Sequence, residues 1–246
     1  MDNLIYISAV GLSNIEQAQA VRANNLANVS TPGFRADLAR VMSSEVMGDA
    51  YRTRVYGVND GMGVDMQPGT QQATGRELDL AINGNGLFAV QMSDGSEAYT
   101  RDGAMQVNAL GQLTNAEGRP VMGSGGPIVL PPYENIVFGN DGTITIRPQG
   151  QGSEALVQID QLKLVTPPAV GMQKQAQGYL VAADQQELPP DPAVQVNSGF
   201  VESSNVNAIH ELTEIMSLAR QFEIEVKLLK NAEENDSAAA QLLRIG

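Results

Sequence analysis

The stretch that decides the fold is residues 212–243, LTEIMSLARQFEIEVKLLKNAEENDSAAAQLL, near the end of the chain. Apolar residues recur there in steps of three and four, the spacing of a helix that buries one face against another helix. Eight of the ten seam positions are apolar. The seam consists of Leu212, Ile215, Ala219, Phe222, Val226, Leu229, Glu233, Asp236, Ala240 and Leu243. Neither Pro nor Gly interrupts the run before Gly246, so the pattern predicts one helix from Asn205 to Leu243.

A helix of this extent is about 60 Å long, more than the width of a compact domain of this size. We therefore expect its seam to be buried against a partner. The alternative is a long helix that packs on its own domain. Glu233 and Asp236 either set the register of the pairing or mark where the contact with the partner changes character.

The first residues predict a second helix, from Asn3 to Asn28, with Asp2 or Asn3 as its cap. Its apolar seam is broader and contains small and polar residues, so it predicts a surface of small side chains. The large apolar members of this seam are Ile5, Leu12, Ile15 and Leu26. Pro32 and Gly33 end the helix, because neither residue continues it.

Between Thr70 and Asn205 the hydrophobic pattern changes to period two and is broken by Gly, Asn and Asp. This pattern predicts an antiparallel all-β domain, a sandwich or a barrel. The predicted elements are a hairpin of Leu78–Ile82 with Leu87–Met92, a hairpin of Asn135–Phe138 with Thr143–Ile146, and a long strand, Leu156–Val165, with a bulge near Asp160.

The predicted fold class is therefore α+β. Residues 1–30 and 205–246 form a terminal helical assembly domain, a coiled coil or bundle, and residues 70–204 form the β domain. Residues 31–69 connect them, with a short helical piece from Ala36 to Met47 and irregular chain after it. Two terminal helices that need partners, on either side of one β domain, are the layout of a polymerising subunit.

Composition excludes several classes of protein. The net charge of −13 disfavours nucleic acid and anionic membrane surfaces as partners. The absence of Cys excludes disulfides and thiolate metal sites. No run of eighteen apolar residues is present, so no membrane span is expected. The N-terminal residues show no basic region followed by an apolar core and a cleavage site, so we expect any export to proceed without a Sec-type signal.

Catalytic patterns are also missing from the sequence. His210 is the one histidine, and one His without Cys does not make a zinc site of the usual kind. No Gly-x-Ser-x-Gly elbow occurs, and Gly84 and Gly86 indicate a turn rather than a nucleotide loop. A polysaccharide-active enzyme on a β scaffold would need clustered aromatics, whereas this chain has no Trp. We predict no enzymatic activity, no metal and no cofactor.

Four stretches of this sequence resemble, in order, the signature motifs of the bacterial flagellar rod and hook proteins. They are Asn24–Phe34 (NNLANVSTPGF), Leu78–Phe88 (LDLAINGNGLF), Tyr99–Gly103 (YTRDG) and Gly199–Asn207 (GFVESSNVN). The residues that carry the family motifs are Asn25, Leu26, Ala27, Asn28, Gly33, Phe34, Asp79, Gly84, Gly86, Ser204, Asn205 and Asn207.

The resemblance implies a structural subunit of the flagellar basal body. Such subunits are exported by the flagellar type III apparatus without cleavage and stack helically in the periplasm. Their terminal helices bundle around a central channel, with the β domains outside. The rod transmits motor torque from the inner-membrane ring to the hook. The two helical seams named above, without Glu233 and Asp236, would form the assembly interface.

Within the family, the opening Met-Asp-x-x-Ile-Tyr and the stretch Arg76–Ala81 are most similar to the proximal-rod members. The implied partners are copies of this chain, earlier proximal-rod proteins on one side and the distal-rod protein on the other. The alternatives are a distal-rod or hook subunit of the same family, or a secreted adhesin. Phe34 and Leu38 match the aromatic-x-x-x-hydrophobic pattern proposed for recognition by the export gate, and local packing of Phe34 is the alternative.

Overall fold

The computed structural model describes residues 2–45, 55–150, 156–168, 171–175 and 178–245. Within these residues the chain is α+β, with one helix at each end and an antiparallel β region between them, as predicted. The helices are α1, Asp2–Ala27, and α2, Ala208–Ile245. The strands are β1 Asp37–Glu45, β2 Val55–Val64, β3 Gln71–Ala73, β4 Leu80–Asn83, β5 Leu87–Gln91, β6 Glu97–Thr100, β7 Gln106–Val107, β8 Leu113–Thr114, β9 Met122–Gly123, β10 Gly126–Pro127, β11 Tyr133–Phe138, β12 Thr143–Pro148, β13 Val157–Gln161, β14 Leu164–Val165, β15 Met172–Lys174, β16 Leu180–Ala182, β17 Gln195–Ser198 and β18 Phe200–Glu202.

The chain divides into two compact units. The helical unit contains Met1–Ala27, Asp37–Gly63 and Asn207–Gly246, and the β unit contains Asn28–Ala36 and Val64–Val206. The chain therefore passes from the helical unit to the β unit twice before it returns to α2.

The two helices of the helical unit pack along each other. Arg22 of α1 lies 3.1 Å from the Glu211 carboxylate of α2, and a Cβ added to Gly11 would lie 3.9 Å from the carboxyl group of Glu225. Residue numbers fall along one helix as they rise along the other, so the pair is antiparallel. Part of the predicted need for a partner helix is thus met within one chain.

The first turn of α2 begins later than the sequence predicted. The side-chain oxygen of Asn207 accepts hydrogen bonds from the N–H groups of Ile209 (3.0 Å) and His210 (3.1 Å), which is the geometry of an N-cap. The helix therefore starts at Ala208 and not at Asn205.

The short helical piece predicted from Ala36 to Met47 is wrong where the structure describes it. Asp37–Glu45 is strand β1, which pairs with β2. Its Ala, Leu, Arg and Met residues favour a helix locally, but a partner strand that lies further along the chain supplies backbone hydrogen bonds that local propensity does not anticipate.

The core of the β unit has two layers separated by strand β5. Phe88 and Val90 point into the larger hydrophobic cluster, whereas Leu87 and Ala89 point into the smaller one. Successive side chains of a strand point to opposite faces. Both faces of β5 are covered, in agreement with the continuous apolar run from Leu87 to Val90. The strand lies in a five-stranded sheet with the order β14-β5-β6-β16-β15.

One predicted hairpin is confirmed and the other is wrong. Strands β11 and β12 pair antiparallel, with Phe138 opposite Ile144. Strands β4 and β5 exist, but they are not partners: β4 pairs with β17, and β5 pairs with β6 and β14. The carbonyl groups of Gly84 and Gly86 in the intervening loop, together with that of Ile82 in β4, bind the side chain of Arg101. The loop therefore opens around a side chain and does not close into a tight turn.

The long strand predicted over Leu156–Val165 is two strands in two different sheets. Strand β13 pairs with β12 and β14 pairs with β5. The bulge predicted near Asp160 is confirmed, because the register shifts where Ile144 faces Asp160 and Thr145 faces Gln158.

Candidate functional site: a buried ionic junction between the motifs

The candidate site is centred on the carboxylate of Glu202, at the end of β18. One oxygen accepts a hydrogen bond from Nε of Arg101 at 2.5 Å. The other lies 2.7 Å from a terminal nitrogen of Arg35 and accepts the N–H of Gly69 at 2.8 Å. The side chains of Arg35, Arg101 and Glu202 are 3%, 1% and 1% exposed. We call these three residues the ionic junction.

Two buried guanidinium groups face one carboxylate, so the junction depends on further hydrogen bonds. Arg101 donates to the carbonyl oxygen of Ile82 in β4 and to those of Gly84 and Gly86 in the loop between β4 and β5. Burial lowers the pKa of the Arg101 guanidinium, and the charge of Glu202 opposes that change. The buried charge of Arg101 is therefore both paired and hydrogen-bonded, which is what a charged group needs in a protein interior.

The segment that enters the β unit lies against the segment that leaves it. The N–H of Gly33 donates to the carbonyl oxygen of Glu202 at 2.8 Å. The side-chain oxygen of Asn205 accepts the N–H of Ala36 at 2.8 Å, and its amide nitrogen donates to the carbonyl oxygens of Asp65 and Gln67, both at 3.1 Å. One asparagine therefore ties together three pieces of chain that are far apart in sequence.

Close backbone approach explains two of the motif glycines. Gly33 has φ +67°, and a Cβ there would overlap the backbone of Asp102. A Cβ on Gly86 would overlap the side chain of Val194. Gly84 has φ +80° and open space around it, so only its backbone conformation requires glycine.

Asp79 and Ser204 stabilise the same region through hydrogen bonds. One carboxylate oxygen of Asp79 accepts the hydroxyl of Thr74 at 2.6 Å, and the other lies 3.1 Å from the guanidinium of Arg76. The hydroxyl oxygen of Ser204 accepts the N–H of Val206 at 3.2 Å. These residues shape the segments on either side of the ionic junction.

The motif residues at the end of α1 have their own contacts. Asn25 is fully buried, accepts the N–H of Asp37 at 2.8 Å and donates to its carbonyl oxygen at 3.0 Å, which fixes the start of β1. Asn28 accepts the N–H and the hydroxyl of Thr31, both at 3.1 Å, so it forms the turn that ends the helix. Leu26 is half-buried and Ala27 is exposed.

The two residues of the predicted export signal have different surroundings. The ammonium nitrogen of Lys174 lies 3.7 Å from the centre of the Phe34 ring and donates a hydrogen bond to the carbonyl oxygen of Arg35 at 2.8 Å. Leu38 is exposed on β1. Phe34 thus has a packing role in the folded chain, and recognition of this pair stays a prediction.

The predicted assembly residues fall into two groups by exposure. Leu212 and Val226 are 48% and 43% exposed. The half-buried group is Leu12, Ile15, Leu26, Ile215, Ala219, Phe222 and Leu229. The side chains of Ile5, Ala240 and Leu243 lie outside those that the structure describes. The role of both groups in assembly stays a prediction.

The sequence did not single out the ionic junction. Arg101 and Glu202 lie inside two of the quoted motifs, and Arg35 directly follows a third. The available signal was a charged residue within or directly after each of three motifs.

Neither α1 nor α2, over the residues that the structure describes, combines the length and the apolar character of a membrane span.

Three family models match the chain, and each contains one residue of the ionic junction. They are "Flagella basal body rod protein" at residues 5–35, "Flagellar hook protein FlgE/F/G D1 domain" at residues 81–150 and "Flagellar basal body rod FlgEFG protein C-terminal" at residues 197–242. Together they define the class as that of the rod and hook proteins of the bacterial flagellum.

Full-length relatives narrow the class. The flagellar basal-body rod proteins FlgF of Escherichia coli (strain K12) and Salmonella typhimurium (strain LT2) are each 39% identical over 249 residues, which is 99% of this chain and 99% of the relative. The rod protein FlgG of Buchnera aphidicola (subsp. Schizaphis graminum) is 31% identical over 266 residues, 97% of this chain and 98% of the relative. The chain belongs to the flagellar basal-body rod protein family and is close to FlgF within it.

Proposed function

We propose that this chain is a structural subunit of the proximal part of the flagellar rod, where it stacks helically and passes torque from the inner-membrane ring toward the hook. The observation that carries the proposal is the match with FlgF over 99% of both chains, which includes both terminal helices and the β region. Torque transmission requires stiff contacts and no chemistry, and the site described above consists of such contacts.

The α1–α2 pair is the part that assembles, as a coiled-coil bundle around the rod channel. The pairing leaves several large apolar side chains of α2 in solvent, among them Ile209, Leu212, Met216 and Val226. A row of exposed apolar side chains on a helix indicates a protein contact. Each such side chain contributes about 1.5–3 kcal/mol when it becomes buried, and a helical lattice repeats that gain in every subunit.

The ionic junction stiffens the β unit at the place where the chain enters and leaves it. A force that pulls apart the segments near Gly33 and Asn205 is resisted by the Arg35–Glu202–Arg101 ion pairs and by the loop between β4 and β5. The junction therefore limits how far these two segments separate under torque.

The partners are other copies of this chain, earlier proximal-rod proteins on one side and the distal-rod protein on the other. The alignments support the proximal position, because the FlgF relatives align over 249 residues and the FlgG relative over 266, which requires more gaps. Delivery is by the flagellar type III export apparatus to the periplasm, without removal of a signal peptide.

Electron microscopy of basal bodies from a deletion strain tests the position of the subunit. We expect rings without an external hook, since construction stops before the distal rod. Complete rods that lack only the hook would assign the chain to the hook, and short rods that contain the proximal subunits would assign it to the distal rod. Full motility of the deletion strain would refute the proposal.

The exposed face of α2 is tested by two matched substitutions. Val226→Glu places a charge on the assembly helix, and Val157→Glu does the same at a β-unit position of nearly equal exposure, 43% against 42%. Both variants should be exported and soluble. Only Val226→Glu should fail to enter the rod, because a buried unpaired carboxylate costs several kcal/mol. Normal motility with Val226→Glu would contradict the assignment of this face.

A further inference from the structure

The helical unit carries a second apolar row on α2 that its own α1 does not cover. Ile209, Leu212 and Met216 follow one another in steps of three and four and are 76%, 48% and 57% exposed. Arg220 continues the row one turn later. Among the described residues Arg220 has no ion-pair partner. The row therefore combines three uncovered apolar side chains with one cation.

The outer face of α1 is the complement of this row. Ala27, Ala23, Ala20 and Glu16 recur in steps of four and three, and all four are exposed. The first three side chains are small, which lets another helix approach closely, and the fourth carries the opposite charge to Arg220. Glu16, like Arg220, has no ion-pair partner within the described part of the chain.

The two rows also match in height along the helix pair. Within one chain, Arg22 lies level with Glu211 and Gly11 with Glu225. Both helices rise by about 1.5 Å per residue and run antiparallel, so a decrease of one in the residue number of α1 corresponds to an increase of one in the residue number of α2. Counted from these two contacts, Ala23 is level with residues 210–213, and Glu16 is level with residues 217–220.

We infer that the outer row of α1 in one copy packs against the uncovered row of α2 in the copy beside it, with little axial shift between the two copies. In that arrangement Ala27 meets Ile209, Ala23 meets Leu212, Ala20 meets Met216, and Glu16 pairs with Arg220. The occupant is a second copy of this chain, because its α1 provides three small side chains, a charge opposite to that of Arg220, and matching positions along the helix axis. The inference rests on the proposed function and names the partner surface of its assembly helices.

The contact is heterologous, since a face of α2 meets a different face of α1. After one such contact, the first copy still has its α2 row free and the second copy still has its α1 row free. Contacts of this kind continue from copy to copy around an axis and do not close into a symmetric dimer. That property suits a subunit of a helical stack.

Cysteine crosslinking tests the pairing, and the chain contains no Cys of its own. Two differently tagged copies, Ala23→Cys and Leu212→Cys, are expressed together, and purified basal bodies are treated with a short bis-maleimide. Ser217→Cys replaces Leu212→Cys as the control, because Ser217 is also exposed but lies on another face of α2. We expect about tenfold more mixed-tag product with Leu212→Cys, since paired residues are held at a high effective concentration. Equal yields in rods that contain both variants would overturn the pairing and leave the proposed function intact.

Charge reversal gives a second readout if a cysteine variant does not assemble. Glu16→Arg and Arg220→Glu should each lower the amount of the chain in basal bodies several-fold, and the double reversal should restore it, because the ion pair is re-formed with exchanged signs. Failure of the double variant to restore incorporation would overturn the pairing. Complete, hook-bearing rods in the deletion strain would instead overturn the proposed function.

Discussion

Removing the charge of Glu202 is the sharpest test of the ionic junction. Glu202→Gln keeps the shape of the side chain and an acceptor for the N–H of Gly69, but it leaves the guanidinium groups of Arg35 and Arg101 without a counter-charge. All three side chains are at most 3% exposed, so water does not screen the loss. Breaking a buried ion pair on one side costs about 3–5 kcal/mol. A typical domain is stable by only about 5–15 kcal/mol, so the effect is a large share of the total.

The chain provides a matched control for this substitution. Glu134 pairs with Arg147 at 3.2 Å, but these side chains are 46% and 33% exposed. An exposed pair contributes about 0–1 kcal/mol, so Glu134→Gln should hardly change the free energy of unfolding. Both variants are compared with the unsubstituted chain by urea unfolding. Tyrosine fluorescence is the signal, because there is no Trp and the buried Tyr99 and Tyr179 lie in the β unit.

The expected difference between the two variants is at least about 2 kcal/mol, taken from the costs of breaking buried and exposed pairs. If Glu202→Gln loses no more stability than Glu134→Gln, the ionic junction does not stabilise the β unit.

Three further outcomes follow from named contacts. Gly33→Ala should prevent stable folding of the β unit, whereas Gly84→Ala should lower the free energy of unfolding by only about 1 kcal/mol, because both residues have positive φ but only Gly33 lacks room for a Cβ. Thermal melting compares the two variants, and equal melting temperatures would contradict the overlap with Asp102. Burial raises the pKa of Tyr179 from 10.0 to about 12, so the contribution of the neutral phenol to stability is complete below pH 10 and is lost as the pH rises to about 12. Absorbance titration at 295 nm should show one late-ionising phenol fewer in Tyr179→Phe than in the unsubstituted chain, and identical curves would refute the raised pKa. Phe34→Ala should lower secreted protein while cytoplasmic protein remains. Lys174→Ala removes the contact with the ring and a hydrogen bond to the carbonyl oxygen of Arg35 but leaves Phe34 in place, so it should be secreted normally; normal secretion of Phe34→Ala with failed assembly would assign Phe34 to packing alone.

The sequence by itself determined the elements whose signal is local. The step of three and four residues between Leu212 and Leu229 predicts α2, and Pro32 with Gly33 predicts the end of α1. The alternation around the turn at residues 139–142 predicts the β11–β12 hairpin, since both strands lie within a few residues of their turn. The motifs in four stretches predicted the family, because they are short runs that are readable without any fold.

Only the tertiary structure decided which distant segments meet. Strand β1 is extended and not helical because β2 pairs with it, and the strands on either side of Gly84 part because Arg101 occupies the loop between them. The ionic junction joins Arg35, Arg101 and Glu202, which are separated by 66 and 101 positions along the chain. Spacing carries no information over such distances, since these contacts depend on burial and on the path of the intervening chain. A periodic pattern predicts which face of a segment is buried, but the folded chain determines what it is buried against.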